Sequence, residues 1–429
     1  MNTRELLGSI LQKLQAGGAD KAALSYNSET DEEFNIIFKE LNLLRTVETN
    51  SIGMQVIKDQ KQASTRLNQF DPASIDKAVR DVLQAVENSN PDPAFDISPF
   101  DEGSWTDGDL QPDVDQVIFR LQEFIAQMNE RYPEVHFDGG LTHEKSYSAY
   151  LNSNGTWFDK QQGAYSFNTV FTAKKGRKMS SMNYTGYAVA DLNRELLQIN
   201  FTEDLIRQST GQTETQPVPG NFTGEVLVAP FLAMELIGTF IQSQIGDSGL
   251  LMKSSRFPDH LGQRILGEKL NILHDPLHPD LCYRQRYSGD GFKTYPAPLI
   301  ENGVLRHYPI SLYAANKCGK PRTIGSALNL IIPPGTDSLA SMVKSIQQGI
   351  LCMRASFGQP NANGDFSGVL KNSYYIQDGA IAHPISETML NGNIVEMLNN
   401  IVAISSESFN LGDSIFPYLQ IKEVFISRK

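Results

Sequence analysis

Cysteine is scarce in this chain of 429 residues: Cys282, Cys318 and Cys352 are its only thiols. Three cysteines make no disulfide framework, and they suit a reducing, cytoplasmic compartment. Long apolar runs are missing as well. No stretch approaches the ~20 residues of a membrane-crossing helix. The opening MNTRELLGSILQKL carries early charge and helical periodicity without a signal-peptide cleavage pattern. Basic residues are in the minority: 37 Lys and Arg stand against 49 Asp and Glu, for a formal net charge of −12. A nucleic-acid binder usually carries the opposite balance. The one basic cluster, Lys174, Lys175, Arg177 and Lys178, flanks Gly176 and reads as a hairpin tip. Neither nucleic acid nor membrane is expected as a partner.

Several chemical signatures are also absent. There is no HExxH, in which two histidines on one helical face hold zinc and a glutamate polarises its water. There is no G-x-S-x-G elbow, no Walker A loop, and no G-x-G-x-x-G after a strand. The only histidine cluster is His274-Asp275-Pro276-Leu277-His278, followed by Cys282. Spacings of four and four would align three ligands on a helix, but Pro276 and Pro279 forbid that helix. A polar turn explains the composition, with a loop metal site as the rival reading. Cys318, in Asn316-Lys317-Cys318-Gly319-Lys320-Pro321, sits at a helix C-cap signature. Cys352, in Ile350-Leu351-Cys352-Met353, reads as core.

What is present is a mixture of helices and antiparallel strands. Asn2 with Glu5 forms a capping box for a helix whose face is Leu7, Ile10, Leu11 and Leu14, with Gly17 and Gly18 ending it. Strands follow at Ala22 to Tyr26, Phe34 to Phe38, Leu43 to Thr49 and Met54 to Lys58. Asp71-Pro72 opens a second helix, striped by Ile75, Val79, Val82, Leu83 and Val86. A third carries Val117, Leu121, Phe124, Ile125 and Met128. From Glu134 to Met182 the pattern is strands. Asn50-Ser51-Ile52-Gly53 and Asn152-Ser153-Asn154-Gly155 read as Asx-type turns. Asn302-Gly303 and Asp378-Gly379 mark two tight hairpins, and a helix is expected from Ser338 to Gln348, capped by Asp337 and stopped by Gly349. The polar stretch 208–224 divides the chain. We therefore expect an α+β fold with a mixed helix/strand N-terminal domain at 1–207, a linker at 208–224, and a strand-rich C-terminal domain at 225–429.

Two stretches invite a functional question. APFLAMELIGTFIQSQIG, residues 229–246, is apolar nearly all round: Phe231, Leu232, Met234, Leu236, Ile237, Phe240, Ile241 and Ile245. Such a helix is expected to be covered on every side, in part by an oligomeric interface. Glu235 interrupts it, and a carboxylate in apolar surroundings needs a partner or a job. Arg256 or Arg264 would serve as that partner, or Glu235 would lie at a subunit interface. The second stretch is Phe357-Gly358-Gln359-Pro360-Asn361-Ala362-Asn363-Gly364-Asp365-Phe366-Ser367-Gly368. It is long for a hairpin connection, and long loops between ordered strands often carry function.

Gly364-Asp365-Phe366-Ser367, followed by Tyr375-Ile376-Gln377-Asp378-Gly379-Ala380-Ile381-Ala382-His383-Pro384-Ile385, resembles a segment of the TldD/TldE (PmbA) family. Pro298-Leu299-Ile300-Glu301-Asn302-Gly303-Val304-Leu305, Tyr313-Ala314-Ala315-Asn316-Lys317 with Gly325 and Asn329-Leu330, and Asn152-Ser153-Asn154-Gly155 resemble further family segments in the same order. These proteins are called modulators of DNA gyrase and are classed as metallopeptidases. In the TldD half, the resemblance implies, the helix matching 229–246 carries HExxxH, with two histidine ligands and a general-base glutamate, and a C-terminal cysteine adds a ligand. Here the matching residues are Met234-Glu235-Leu236-Ile237-Gly238-Thr239, and the tail Phe409-Asn410-Leu411-Gly412-Asp413-Ser414-Ile415 has no cysteine. Thioether and hydroxyl do not replace imidazoles on zinc. The chain thus resembles the metal-free TldE/PmbA half. That implies no catalytic residue and no metal ligand of its own, with Glu235 at the general-base position. It also implies a TldD-like or identical partner, zinc or a similar metal only in a TldD-like partner, and an unfolded peptide substrate, for which Gly364, Asp365, Phe366 and Ser367 are the expected contacts. The rivals are an autonomous metal-dependent peptidase using His274, His278 and Cys282, and a regulatory binding protein of the gyrase system.

Overall fold

The computed structural model describes residues 2–358, 360–361 and 363–428. Gln359 and Ala362 of the glycine-rich loop lie outside the described residues. The chain folds as two α+β domains, each built on its own sheet.

The first helix, α1 (Thr3–Ala16), starts where the capping box places it: Asn2 Oδ1 accepts from Glu5 N, and Glu5 returns the bond. Three strands follow, β1 (Lys21–Ile37), β2 (Glu40–Lys58) and β3 (Lys61–Leu67), then α2 (Pro72–Glu87) with Asp71 as its cap. The domain continues through β4 (Glu102–Asp107), α3 (Val114–Arg131), β5 (Val135–Asn152), β6 (Trp157–Lys175), β7 (Lys178–Met179) and β8 (Asn183–Val189). The strands pair in the order β3-β2-β1-β5-β6-β4, with β7 and β8 also on β6. Leu7, Ile10, Ile75 and Val82 bury α1 and α2 against this sheet, and Val117, Leu121 and Phe124 bury α3.

Four expected short strands are in fact two long ones. The polar run from Asn27 to Glu33 stays extended because its backbone pairs on both sides, Asn27 with Ser51 and Ser148 and Glu29 with Thr49 and Ser146. A paired backbone needs no apolar side chains to remain a strand. For the same reason Asn50-Ser51-Ile52-Gly53 is not a turn: Ile52 is fully buried in β2, paired to Tyr26 and Leu67. The second phrase is a turn, with Asn152 Oδ1 accepting from Asn154 N at 3.0 Å and Gly155 at φ +88°.

The stretch 208–224 begins inside α4 (Thr202–Gly211) and ends inside β9 (Phe222–Val228). Then come α5 (Pro230–Phe240), a π-helical turn at Ile241–Ile245, and α6 (Asp247–Leu251). The remaining elements are β10 (Ile272–His274), β11 (Ala297–Glu301), β12 (Val304–Leu305), α7 (Leu312–Cys318), β13 (Leu330–Ile331), α8 (Leu339–Ser345), β14 (Gln348–Cys352), β15 (Arg354–Phe357), β16 (Asp365–Lys371), β17 (Tyr374–Gln377), β18 (Ala380–Pro384), β19 (Thr388–Asn393), α9 (Ile394–Asn399), β20 (Ile401–Asn410) and β21 (Ile415–Arg428). The long β21 organises the second sheet, pairing with β9, β13, β19 and β20. Both glycine hairpins form, with Asn302 and Gly303 and then Asp378 and Gly379 at positive φ. Helix α8 is shorter than expected. Ser338, not Asp337, caps it, and Gly349 lies in β14, where a Cβ would come within 2.3 Å of Glu225 O.

The two domains meet through a continuous core, in which Phe167 and Leu205 join Leu227, Leu351 and Tyr418. A polar seam flanks it. Asp107 of β4 takes a two-pronged contact from Arg286, whose Nε donates at 2.8 Å. Asp92 accepts from Tyr313 and Lys317, and Tyr283 donates to Glu144.

Candidate functional site

Helix α5 follows directly on β9, with Ala229 as N-cap and Pro230 in its first turn. Ala229 N donates to Cys352 O at 2.9 Å, which fixes the start of the helix beside the end of β14. Pro230, Leu232, Ala233, Leu236, Ile237 and Phe240 are buried. Within this chain the helix is not covered on every side. Glu235 and Gly238 face solvent, and Phe231, Met234 and Thr239 are half-buried. The apolar residues of this open side, Phe231 and Met234, pack on the core and also line a cleft.

That cleft has a volume of about 250 Å³ and is lined by Tyr184, Phe231, Leu232, Met234, Glu235, Arg354 and Ala355. Glu235 does not pair with Arg256 or Arg264. Arg256 Nη1 donates to Asn393 Oδ1, and Arg264 pairs with Glu268. The basic group facing Glu235 is Arg354, the first residue of β15, only 8% exposed. Its guanidinium lies 4.1 Å from the Tyr184 ring centroid and 4.0 Å from that of Phe231. Its Nη2 donates to Tyr184 O at 2.6 Å, while its Nε is buried with no partner. Among the described residues it forms no ion pair. Burial raises the Glu235 carboxyl above its ordinary pKa, and the positive charge of Arg354 opposes that rise. Burial lowers the Arg354 guanidinium from its ordinary value.

Arg354 went unread in the sequence. The available signal was a guanidinium in the apolar run Ile350-Leu351-Cys352-Met353-Arg354, where a strand buried on both faces leaves a charge nowhere cheap to go. Tyr184 gave no signal, since its place beside α5 depends on the docking of one domain on the other.

The expected substrate contacts sit at the opposite end of the same hairpin. Strand β15 pairs with β16 from Arg354–Lys371 to Phe357–Gly368. Asp365 Oδ1 accepts from Asn393 Nδ2 at 2.8 Å and its Oδ2 from Asn361 Nδ2 at 3.1 Å, bonds that hold its carboxyl below the ordinary range. Phe366 is buried edge-on to Phe357, Ser367 donates to Asn391, and Gly364 turns at φ +87°.

The donor set around Glu235 does not fit zinc. Its helical neighbours offer a thioether from Met234 and a hydroxyl from Thr239, and the Thr239 hydroxyl already donates to Glu235 O at 2.8 Å. Five residues of α-helix turn the direction by about 140°, so Met234 and Thr239 flank Glu235 on diverging sides. The rival set is not assembled either. His274 is buried, its Nδ1 accepts from Asn329 N, and burial lowers its pKa to about 4. His278 Nδ1 accepts from Asp280 N, and burial pushes the Cys282 thiol up to about 12. Among the described residues no three His, Cys, Asp or Glu side chains are grouped to hold a metal ion.

The chain as a whole has recognisable relatives. Residues 221–428 match the PmbA/TldA metallopeptidase C-terminal domain. The metalloprotease PmbA of Escherichia coli O157:H7 is 22% identical, over 96% of this chain and 94% of its own. A Bacteroides thetaiotaomicron protein named as a candidate modulator of DNA gyrase superposes with a TM-score of 0.87 at 18% identity, covering 99% of each chain. TldE of Thermococcus kodakarensis superposes with a TM-score of 0.82 at 18% identity, covering 98% of this chain and all of the other.

Proposed function

Because this chain belongs to the PmbA/TldD family, we propose that it is the subunit of a TldD/TldE-type peptidase that lacks its own metal ligands. In this reading a TldD-like partner carries the zinc and the hydrolytic step. This chain supplies part of the wall of a chamber that receives unfolded peptide. The observation that carries the reading is the flanking of Glu235 by Met234 and Thr239, side chains that leave a lone carboxylate where a metal helix needs imidazoles. The edge of β15, beside α5 and running to Gly364–Ser367, offers backbone groups to an extended peptide. Such pairing holds many sequences with little side-chain choice.

The test is elemental analysis and peptide hydrolysis by the chain alone and co-expressed with a TldD-like partner. We expect metal and hydrolysis only in the co-expressed complex, with zinc assigned to the partner. About one tightly held metal ion per chain, with hydrolysis by the isolated chain, would overturn the reading.

A further inference from the structure

Two opposite charges line the α5 cleft, and neither is satisfied within the protein. Arg354 carries five N–H donors and spends one, on Tyr184 O. Among the described residues Glu235 accepts no side-chain hydrogen bond and forms no ion pair. The guanidinium is already fixed by a carbonyl and two aromatic faces, so a planar acceptor would meet it with little ordering cost. A ligand with one negative charge would also face Glu235, and a ligand with one positive charge would also face Arg354. A ligand with both charges meets both groups. The walls between them, Phe231, Tyr184 and Met234, are apolar, and the volume of about 250 Å³ admits a small molecule.

We propose that this cleft is a receptor for a zwitterion with an apolar side chain, an α-amino acid or dipeptide. Its carboxylate lies on Arg354, its ammonium on Glu235, and its side chain against Phe231, Tyr184 and Met234. The inference concerns binding by this chain alone and stands whether or not a partner supplies a metal.

Calorimetric titration of the full chain with leucine and leucyl-leucine tests it, beside leucyl-leucine capped as the N-acetyl or the C-terminal amide form. Leucine against leucyl-leucine distinguishes the amino-acid from the dipeptide ligand. The free zwitterion should bind, and either cap should weaken it by about tenfold or more, the worth of one charge-assisted contact. Glu235→Gln should erase the penalty of acetylation and keep that of amidation. Arg354→Gln should do the reverse. Glu235 faces solvent, so its variant is expected to fold and is decisive by itself if the Arg354 variant does not. No binding of the zwitterions at concentrations on the order of 10 mM, equal binding of capped and free forms, or an acetylation penalty that survives Glu235→Gln would each overturn the proposal.

Discussion

Arg286 and Arg354 are both withdrawn from water, and each faces a carboxylate, yet the two carboxylates shift in opposite directions. At the domain seam, burial pushes Asp107 up. The hydrogen bonds and charge of Arg286, with Lys160 and Arg284 nearby, outweigh that and hold its pKa below the ordinary range. In the α5 cleft the burial of Glu235 wins, and Arg354 only moderates the rise. The difference is contact. Arg286 grips Asp107 with two nitrogens, whereas Arg354 turns its hydrogen bond to a backbone carbonyl in the other domain. A gripped pair holds the structure together, and an ungripped pair in a cleft is available to something else.

The largest expected effect follows from breaking the gripped pair. Asp107→Asn leaves Arg286, Arg284 and Lys160 with their positive charge uncompensated at the seam. We expect a loss of about 2–3 kcal/mol at neutral pH by urea unfolding. Asp107 has a folded pKa below its unfolded value, so its contribution is full above the ordinary carboxylate range. It is lost as pH falls through the folded pKa. The gap between wild type and variant should therefore close in acid. A gap that stayed constant down to acid pH would assign the loss to packing.

Much of the scaffold around these pairs was legible. Asn2 with Glu5, Asp71 with Pro72, Asn302-Gly303 and Asp378-Gly379 each formed as read, because caps and tight turns depend on residues within a few positions. Two turns were invisible. Phe38-Lys39 and Asp59-Gln60 join β1, β2 and β3 with both residues of each turn at positive φ and no glycine. There the length of the paired strands forces a conformation that local preference opposes. The continuity of β1 through Asn27–Glu33 was hidden for a related reason: its stability lies in backbone partners on β2 and on β5, the latter over a hundred positions away. The site divided along the same line. Glu235 stood out as an anomaly in its own helix. Its cleft required Tyr184 and Arg354, brought to it by different strands of different domains, and no spacing along the chain encodes that meeting.

Asp31 gives a third case, a carboxylate with no arginine. It sits in β1 across from Glu144 in β5, with Glu29 and Glu33 as same-face neighbours. Burial first, then the charges of Glu29, Glu144 and Glu33, raise its pKa to about 6, and its Oδ1 is buried without a partner. A carboxyl with a raised folded pKa favours the fold at low pH, and that stability is lost as pH rises through about 6. Asp31→Asn should stabilise the protein by about 1 kcal/mol at pH 7, allowing for its access to solvent. The gain should vanish near pH 4. A destabilised variant at pH 7 would mean that Asp31 has a partner in solution.

The smallest effect sharpens the comparison most. Glu235 has the same sign as Asp31, so its contribution to folding is present in acid and lost as pH rises through its folded pKa. Its exposure and the counter-charge of Arg354 both reduce the magnitude. Glu235→Gln should therefore stabilise the chain at pH 7 by no more than about 0.5 kcal/mol and leave it unchanged near pH 4. At neutral pH the Asp107 variant changes stability in the other direction, and its gap closes only at lower pH, below the ordinary carboxylate range. Both substitutions remove one negative charge beside an arginine, so net charge cannot account for opposite signs. If Glu235→Gln instead cost as much as Asp107→Asn, the side chain would be gripping Arg354 in solution. The cleft would then hold a closed ion pair with neither charge to offer a ligand. A slight gain leaves both groups free, the state in which binding the acetylated dipeptide and binding the free one can differ.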